Sequence, residues 1–80
     1  MPYVEKGVRE SLEQGRTPKK PGELNYLMSQ LVKSFLAENG VSYTSLNAVV
    51  GVLECLKLEV YRRLAVPYEE DKARMNGDVF

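Results

Sequence analysis

The segment from Ser42 to Ala65, SYTSLNAVVGVLECLKLEVYRRLA, constrains the fold of this chain more than any other, because it reads as a helix that is apolar around most of its circumference. Ser42 stands where an N-cap belongs, and Val41 before it can close on Leu46 as a hydrophobic staple. At about 100° per residue, Leu46, Val49, Leu53, Leu56, Val60 and Leu64 share one arc and form a core stripe. On the far side Ala48, Val52, Cys55 and Leu58 occupy much of the rest, so 10 of the 15 residues from Leu46 to Val60 are apolar. Such a helix is normally buried on most sides. A chain of 80 residues lies near the lower limit for a self-sufficient core, and it has little other material to cover this one.

The remaining segments show how little. Val4, Val8 and Leu12 recur every four residues and draw a narrow stripe on a short first helix that Gly15 stops. Arg16 to Gly22, RTPKKPG, is a basic loop whose charge and prolines keep it solvated. In the second helix Leu24, Leu27, Met28, Leu31, Val32, Phe35 and Leu36 follow the i, i+3, i+4, i+7 rule, opposite Asn25, Ser29, Gln30, Lys33 and Glu38, and Asn39-Gly40 ends it. Pro67 should kink the chain or start a fourth helix, with Glu69, Glu70 and Asp71 in its first turn and Asn76-Gly77 at its end. The expectation is an all-α protein: a small bundle of three to four helices in a single domain, 1–80.

The second helix can cover one side of the third, and the first helix part of another. A further surface is needed, and the economical source is a second copy of the chain, so the third helix is expected to pack in a homo-oligomer. Ala48, Gly51 and Cys55, spaced three and four apart, allow close approach and, with Val52 and Leu58, form the expected oligomer interface. The plainer reading of Gly51 is a tolerated weak spot costing about 1 kcal/mol of helix stability.

Composition narrows the setting. Eleven basic and eleven acidic residues give zero formal net charge, so the field that draws proteins onto nucleic acid is missing, and a nucleic-acid partner is not expected. One cysteine and no histidine leave no disulfide within the chain and no cysteine-rich or mixed zinc site, and fit a reducing, cytoplasmic location; no cofactor or metal is expected. Met1 to Glu13 lacks the apolar core of a signal peptide, and the longest uncharged run, Gly40 to Leu53, is too short and polar to span a bilayer.

GELNY at 22–26, the run SYTSLNAVVGVLECLKLEVYRR at 42–63 and PYEEDKARMNGDV at 67–79 resemble a family of small uncharacterised bacteriophage proteins, over about three-quarters of the chain. The resemblance implies a phage origin and an infected bacterial cell as the setting, with residues 1–21 a variable N-terminal helix and basic loop and 22–80 the family-like helical core. It implies no particular activity.

Within the third helix Asn47, Glu54, Lys57 and Tyr61 share an arc of about 80° beside the core stripe, where apolar residues would be expected. Glu54, Lys57 and Tyr61 are neighbours at three- and four-residue spacing; Arg62 and Arg63 follow, with Glu59 able to pair with Arg63. One reading is an ion pair and a tyrosine that fix the register of a helical interface. The other is a pocket between subunits, in which Lys57, Arg62 and Arg63 bind phosphate, Asn47 or Glu54 accepts from a sugar or base, and Tyr26 or Tyr61 stacks on a ring. Cys55 reads as a small buried residue, since no base accompanies it.

No constellation points to catalysis, so a non-enzymatic function is expected. The first expectation is a homo-oligomeric binding protein that holds a small anionic nucleotide, in its most concrete form a sponge that sequesters a nucleotide immune signal of the host. The alternative is a protein-interaction factor that binds a host protein through the Arg16–Gly22 loop and the apolar end Asp78-Val79-Phe80.

Overall fold

The computed structural model describes residues 4–80, and every regular element in it is helical: α1 (Lys6–Glu13), α2 (Pro21–Asn39), α3 (Tyr43–Val60), a π-helical turn (Tyr61–Ala65) and α4 (Val66–Asn76). The expected all-α class therefore holds. Met1 to Tyr3, the start of the stretch read for a signal peptide, lie outside the described residues. The chain divides into two compact units, Met1–Ser45 and Leu46–Phe80.

In the first unit α1 docks on α2 through the stripe read from the sequence: Val4 and Val8 are half-buried and Leu12 is buried. What they meet on α2 was not anticipated. The buried residues of α2 are Glu23 and Tyr26, while Leu24, Leu31 and Phe35 of its apolar stripe stay exposed. Polar chemistry rotates the contact away from that stripe. Arg16 Nη2 donates to both carboxylate oxygens of Glu23, at 3.3 and 3.4 Å, and Arg16 Nη1 donates to Ser11 Oγ at 3.3 Å. The Lys19 backbone N–H donates to Glu23 Oε1 at 3.0 Å. Tyr26 Oη donates to the Glu13 carboxylate at the end of α1. Arg16 is therefore half-buried and paired, and the loop is not uniformly solvated as its charge predicts. The seven-residue separation of Arg16 and Glu23 across a proline-containing turn is invisible to helical periodicity.

The junction to α3 follows the sequence closely. Gly40 closes α2 at φ 81°, a conformation that glycine adopts without strain. The Ser45 backbone N–H donates to Ser42 Oγ at 3.1 Å, and the Ser42 N–H donates to Ser45 Oγ at 2.9 Å. This is a capping box with serine in the place usually held by Glu or Gln. Val41, expected to close a staple, is exposed.

At Pro67 the second of the two expectations holds: a fourth helix begins there, at Val66, with the proline in its first turn. Proline cannot donate the α-helical hydrogen bond, and its ring would clash with the carbonyl of Arg63 four residues back. The backbone absorbs this without leaving the helical region: Val60, Ala65 and Val66 all keep right-handed helical dihedrals, and the Val66 N–H reaches back five residues to the Tyr61 carbonyl. One widened turn replaces the kink. From Leu46 to Phe80 no residue is buried, and Leu46, Leu53, Leu56, Val60 and Leu64 of the expected core stripe are 39–66% exposed. Among the described residues no helix is long and apolar enough to cross a membrane.

Two outcomes test the α1–α2 contact. Glu23→Ala removes the carboxylate that holds Arg16 and the Lys19 N–H; because Arg16 is about one-third exposed, the cost should be about 1–2 kcal/mol, seen as faster amide exchange throughout α1. The hydrogen bond to Glu13, then burial, then the Glu13 charge raise the Tyr26 pKa above its ordinary 10.0. The contact is then fully present below pH 10 and weakens only as pH rises through the raised value. In a phenolate absorbance titration Tyr26 should give a component above its ordinary 10.0, and Tyr26→Phe should remove that component.

Candidate functional site

The six residues of α3 and the π-turn singled out from the sequence lie on one continuous helical stretch, and all six side chains are exposed. Lys57 Nζ donates to Glu54 Oε1 at 3.4 Å, as the three-residue spacing predicts. One turn on, Glu59 serves two cations: Arg62 Nη2 at 2.7 Å to one carboxylate oxygen and Arg63 Nε at 2.6 Å to the other. The Arg63 pairing was expected. The convergence of both guanidinium groups on Glu59 was not, although the i, i+3 and i, i+4 spacings carried the signal. Glu59 is thus the residue that the sequence reading left out of the site.

The arginines belong to the π-turn. That turn also carries Tyr61, whose side chain leaves the helix on a different side from the two arginines that meet at Glu59. Asn47 lies more than two turns away, at the other end of the edge. Tyr26 stands apart in the first unit: its ring is buried and its hydroxyl engaged by Glu13, which leaves no open face for stacking on a ligand.

Beyond the π-turn the C-terminal tail lies beside α4, and the two enclose an open cleft of about 510 Å³ with Tyr61, Val66, Glu69, Ala73, Val79 and Phe80 on its walls. Glu70 and Asp78 also border it, and Lys72 is its only cation, so it is poorly suited to an anion. The acidic side chains gather no metal site either: among the described residues no group of three or more carboxylate or thiol side chains is placed to hold an ion.

The residues expected at an oligomer interface, Ala48, Gly51, Val52, Cys55 and Leu58, are all exposed. Cys55 is thus a solvent-facing thiol in the single chain, contrary to its reading as a buried residue, because nothing covers that side of α3. A Cβ at Gly51 would meet open space, so the glycine has no packing reason within the chain.

These features define an all-helical protein whose most chemically varied surface is one exposed edge of a long helix. Over residues 1–79 the chain matches the family described as Domain of unknown function (DUF6899), and it belongs to that family. The match takes in α1 and the basic loop as well as the segments from 22 to 79. No curated protein and no solved structure matches the chain.

The exposure of the Glu54–Lys57 pair sets its worth. An ion pair with both partners more than half in water contributes about 0.3–0.5 kcal/mol on a helix. In dilute solution Glu54→Gln should shift thermal stability by no more than that. A loss of about 2 kcal/mol would show the pair to be covered by another molecule.

Proposed function

We propose that this protein is a self-assembling, non-catalytic binding module, in which α3 is shared between copies and its polar edge holds a small anionic ligand of nucleotide type. The observation that carries the reading is that α3 buries no residue from Leu46 onward, with Val49 and Glu59 half-buried and the rest exposed. Completing the burial of the five stripe residues Leu46, Leu53, Leu56, Val60 and Leu64 is worth about 1 kcal/mol each, or about 10 kcal/mol for two helices. That is within the roughly 4–15 kcal/mol that association costs in lost freedom, so assembly is in reach once the neighbouring apolar residues contribute.

The ligand half of the reading rests on the cations. Lys57, Arg62 and Arg63 outnumber Glu54 and Glu59, and a phosphate approaching the π-turn can exchange with the Glu59 carboxylate for the same two guanidinium groups. Tyr61, half exposed beside them, offers a ring face for a base. Its fullest form joins the resemblance to phage proteins: sequestration of a nucleotide signal of the host, without turnover.

A second reading, a factor that binds a host protein, is favoured by the tail, where Val79 and Phe80 are both fully exposed although apolar.

The two separate in one set of measurements. Calorimetry with a panel of cyclic nucleotides and ADP-ribose derivatives should give stoichiometric binding, with the ligand recovered intact after heating. Arg62→Ala with Arg63→Ala should weaken binding at least tenfold and leave the assembly mass unchanged. If no nucleotide binds and Phe80→Ala abolishes capture of one host protein, the interaction factor replaces the sponge.

A further inference from the structure

The spacing of apolar residues along the second unit carries an inference about how copies meet. Leu46, Val49, Leu53, Leu56 and Val60 advance by three, four, three and four residues, the heptad spacing of a helix that packs against another helix. The next heptad positions would be 63 and 67, occupied by Arg63 and Pro67. The large apolar residues come one place later, at Leu64 and Tyr68, followed by Met75 seven residues on. In an unbroken α-helix this delay would carry Tyr68 and Met75 about 60–80° off the stripe.

The π-turn at Tyr61–Ala65 falls at the point of the delay and takes up one residue. With that residue absorbed, Tyr68 and Met75 return to within about 40° of the centre of the stripe. One apolar seam then runs from Leu46 to Met75, a length of about 44 Å at 1.5 Å per residue. Most of the seam is uncovered: Val49 is half-buried, Leu46, Leu53, Leu56 and Val60 are 39–48% exposed, and Leu64, Tyr68 and Met75 are 63–75% exposed.

We infer that this seam, continued across Pro67 by the π-turn, is the surface through which α3 and α4 pair with the same helices of a second copy. The inference deepens the self-assembly half of the proposed function and is independent of the ligand half. Three observations select a second copy. Among the described residues no other helix matches the seam in length, since α2 has 19 residues, or about 28 Å. Heptad spacing is self-complementary, because the side chains of one such stripe fit the holes of another. The zero formal net charge of the chain lets two copies approach without repulsion. The seam also differs from the face around Ala48, Gly51 and Cys55: Lys57 and Tyr61 lie along its flank, so pairing there would bring the polar edge to the rim of the contact.

Sedimentation equilibrium of the full chain, with circular dichroism to check helix content, tests this. The unaltered chain should have the mass of two or more copies. Leu64→Arg and Tyr68→Arg should each weaken association at least tenfold with helix content retained, whereas Glu70→Arg, on the opposite side of α4, should leave the mass unchanged. Deleting Arg62, which removes the extra residue, should weaken association as the two substitutions do. For the unaltered chain, amide exchange in Val66–Asn76 should slow as protein concentration rises, a readout that needs no variant to fold. An assembled chain that is indifferent to Leu64→Arg and Tyr68→Arg, or whose α4 exchange is independent of concentration, would overturn the seam and leave self-assembly standing. A chain of single-copy mass at all concentrations would overturn both.

Discussion

A helical stretch from Tyr43 to Asn76 presents apolar side chains along its length and buries none of them, and most of what can be argued about this protein follows from that imbalance. Burial of apolar surface is the main favourable term in folding, and the described residues bury only Leu12 and Tyr26 as apolar side chains. The first unit supplements this with polar contacts: Arg16 and Glu23 on one side of the turn, Glu13 and Tyr26 on the other. The second unit has only helix-surface pairs, which are individually weak in water. In the proposed assembly, contacts between copies supply the stabilisation that it lacks.

Where the residues of an element decide its shape locally, the sequence was legible. Asn39-Gly40, the Ser42 cap, the Val4–Val8–Leu12 stripe and the pairing of Glu59 with Arg63 depend on neighbours within one or two turns, and each is found as read. The docking face of α2 was not legible. Periodicity ranks faces by apolar content, and the face that α1 chose carries a carboxylate and a phenol whose partners, Arg16 and Glu13, lie in a loop and at a helix end. The candidate site divides in the same way. Asn47, Glu54, Lys57 and Tyr61 are all exposed, on the one arc that the 3.6-residue period gives them, with Arg62 and Arg63 turned away from it around the helix, whereas Tyr26, grouped with them as an aromatic of the right chemistry, is committed to the α1 contact.

Pro67 is the instructive case between these two. The sequence contained both the proline and the shift from alternating three-four spacing to four-four spacing after Val60, but each taken alone points elsewhere: the proline to a break, the spacing to the end of a stripe. Taken together they describe a helix with one residue too many for its seam and a proline whose ring needs a widened turn. A single π-turn answers both demands, which is why, in the inferred seam, Tyr68 and Met75 continue Leu46, Leu53 and Leu64 across the proline.

Under the proposed function, assembly and ligand binding would be linked by electrostatics. With Glu59 holding both arginines in open water, an incoming phosphate gains little, because screening makes either partner cheap to exchange. If the seam closes beside Lys57 and Tyr61, the polar edge becomes the rim of an apolar contact with less water around it. Each charge-assisted hydrogen bond there is stronger, and the three cations outnumber the two carboxylates they can pair with. The unmatched positive charge becomes costly at the moment the interface forms, and an anion at the rim relieves it. By linkage, an anionic ligand that favours the paired state must tighten the pairing by the same factor.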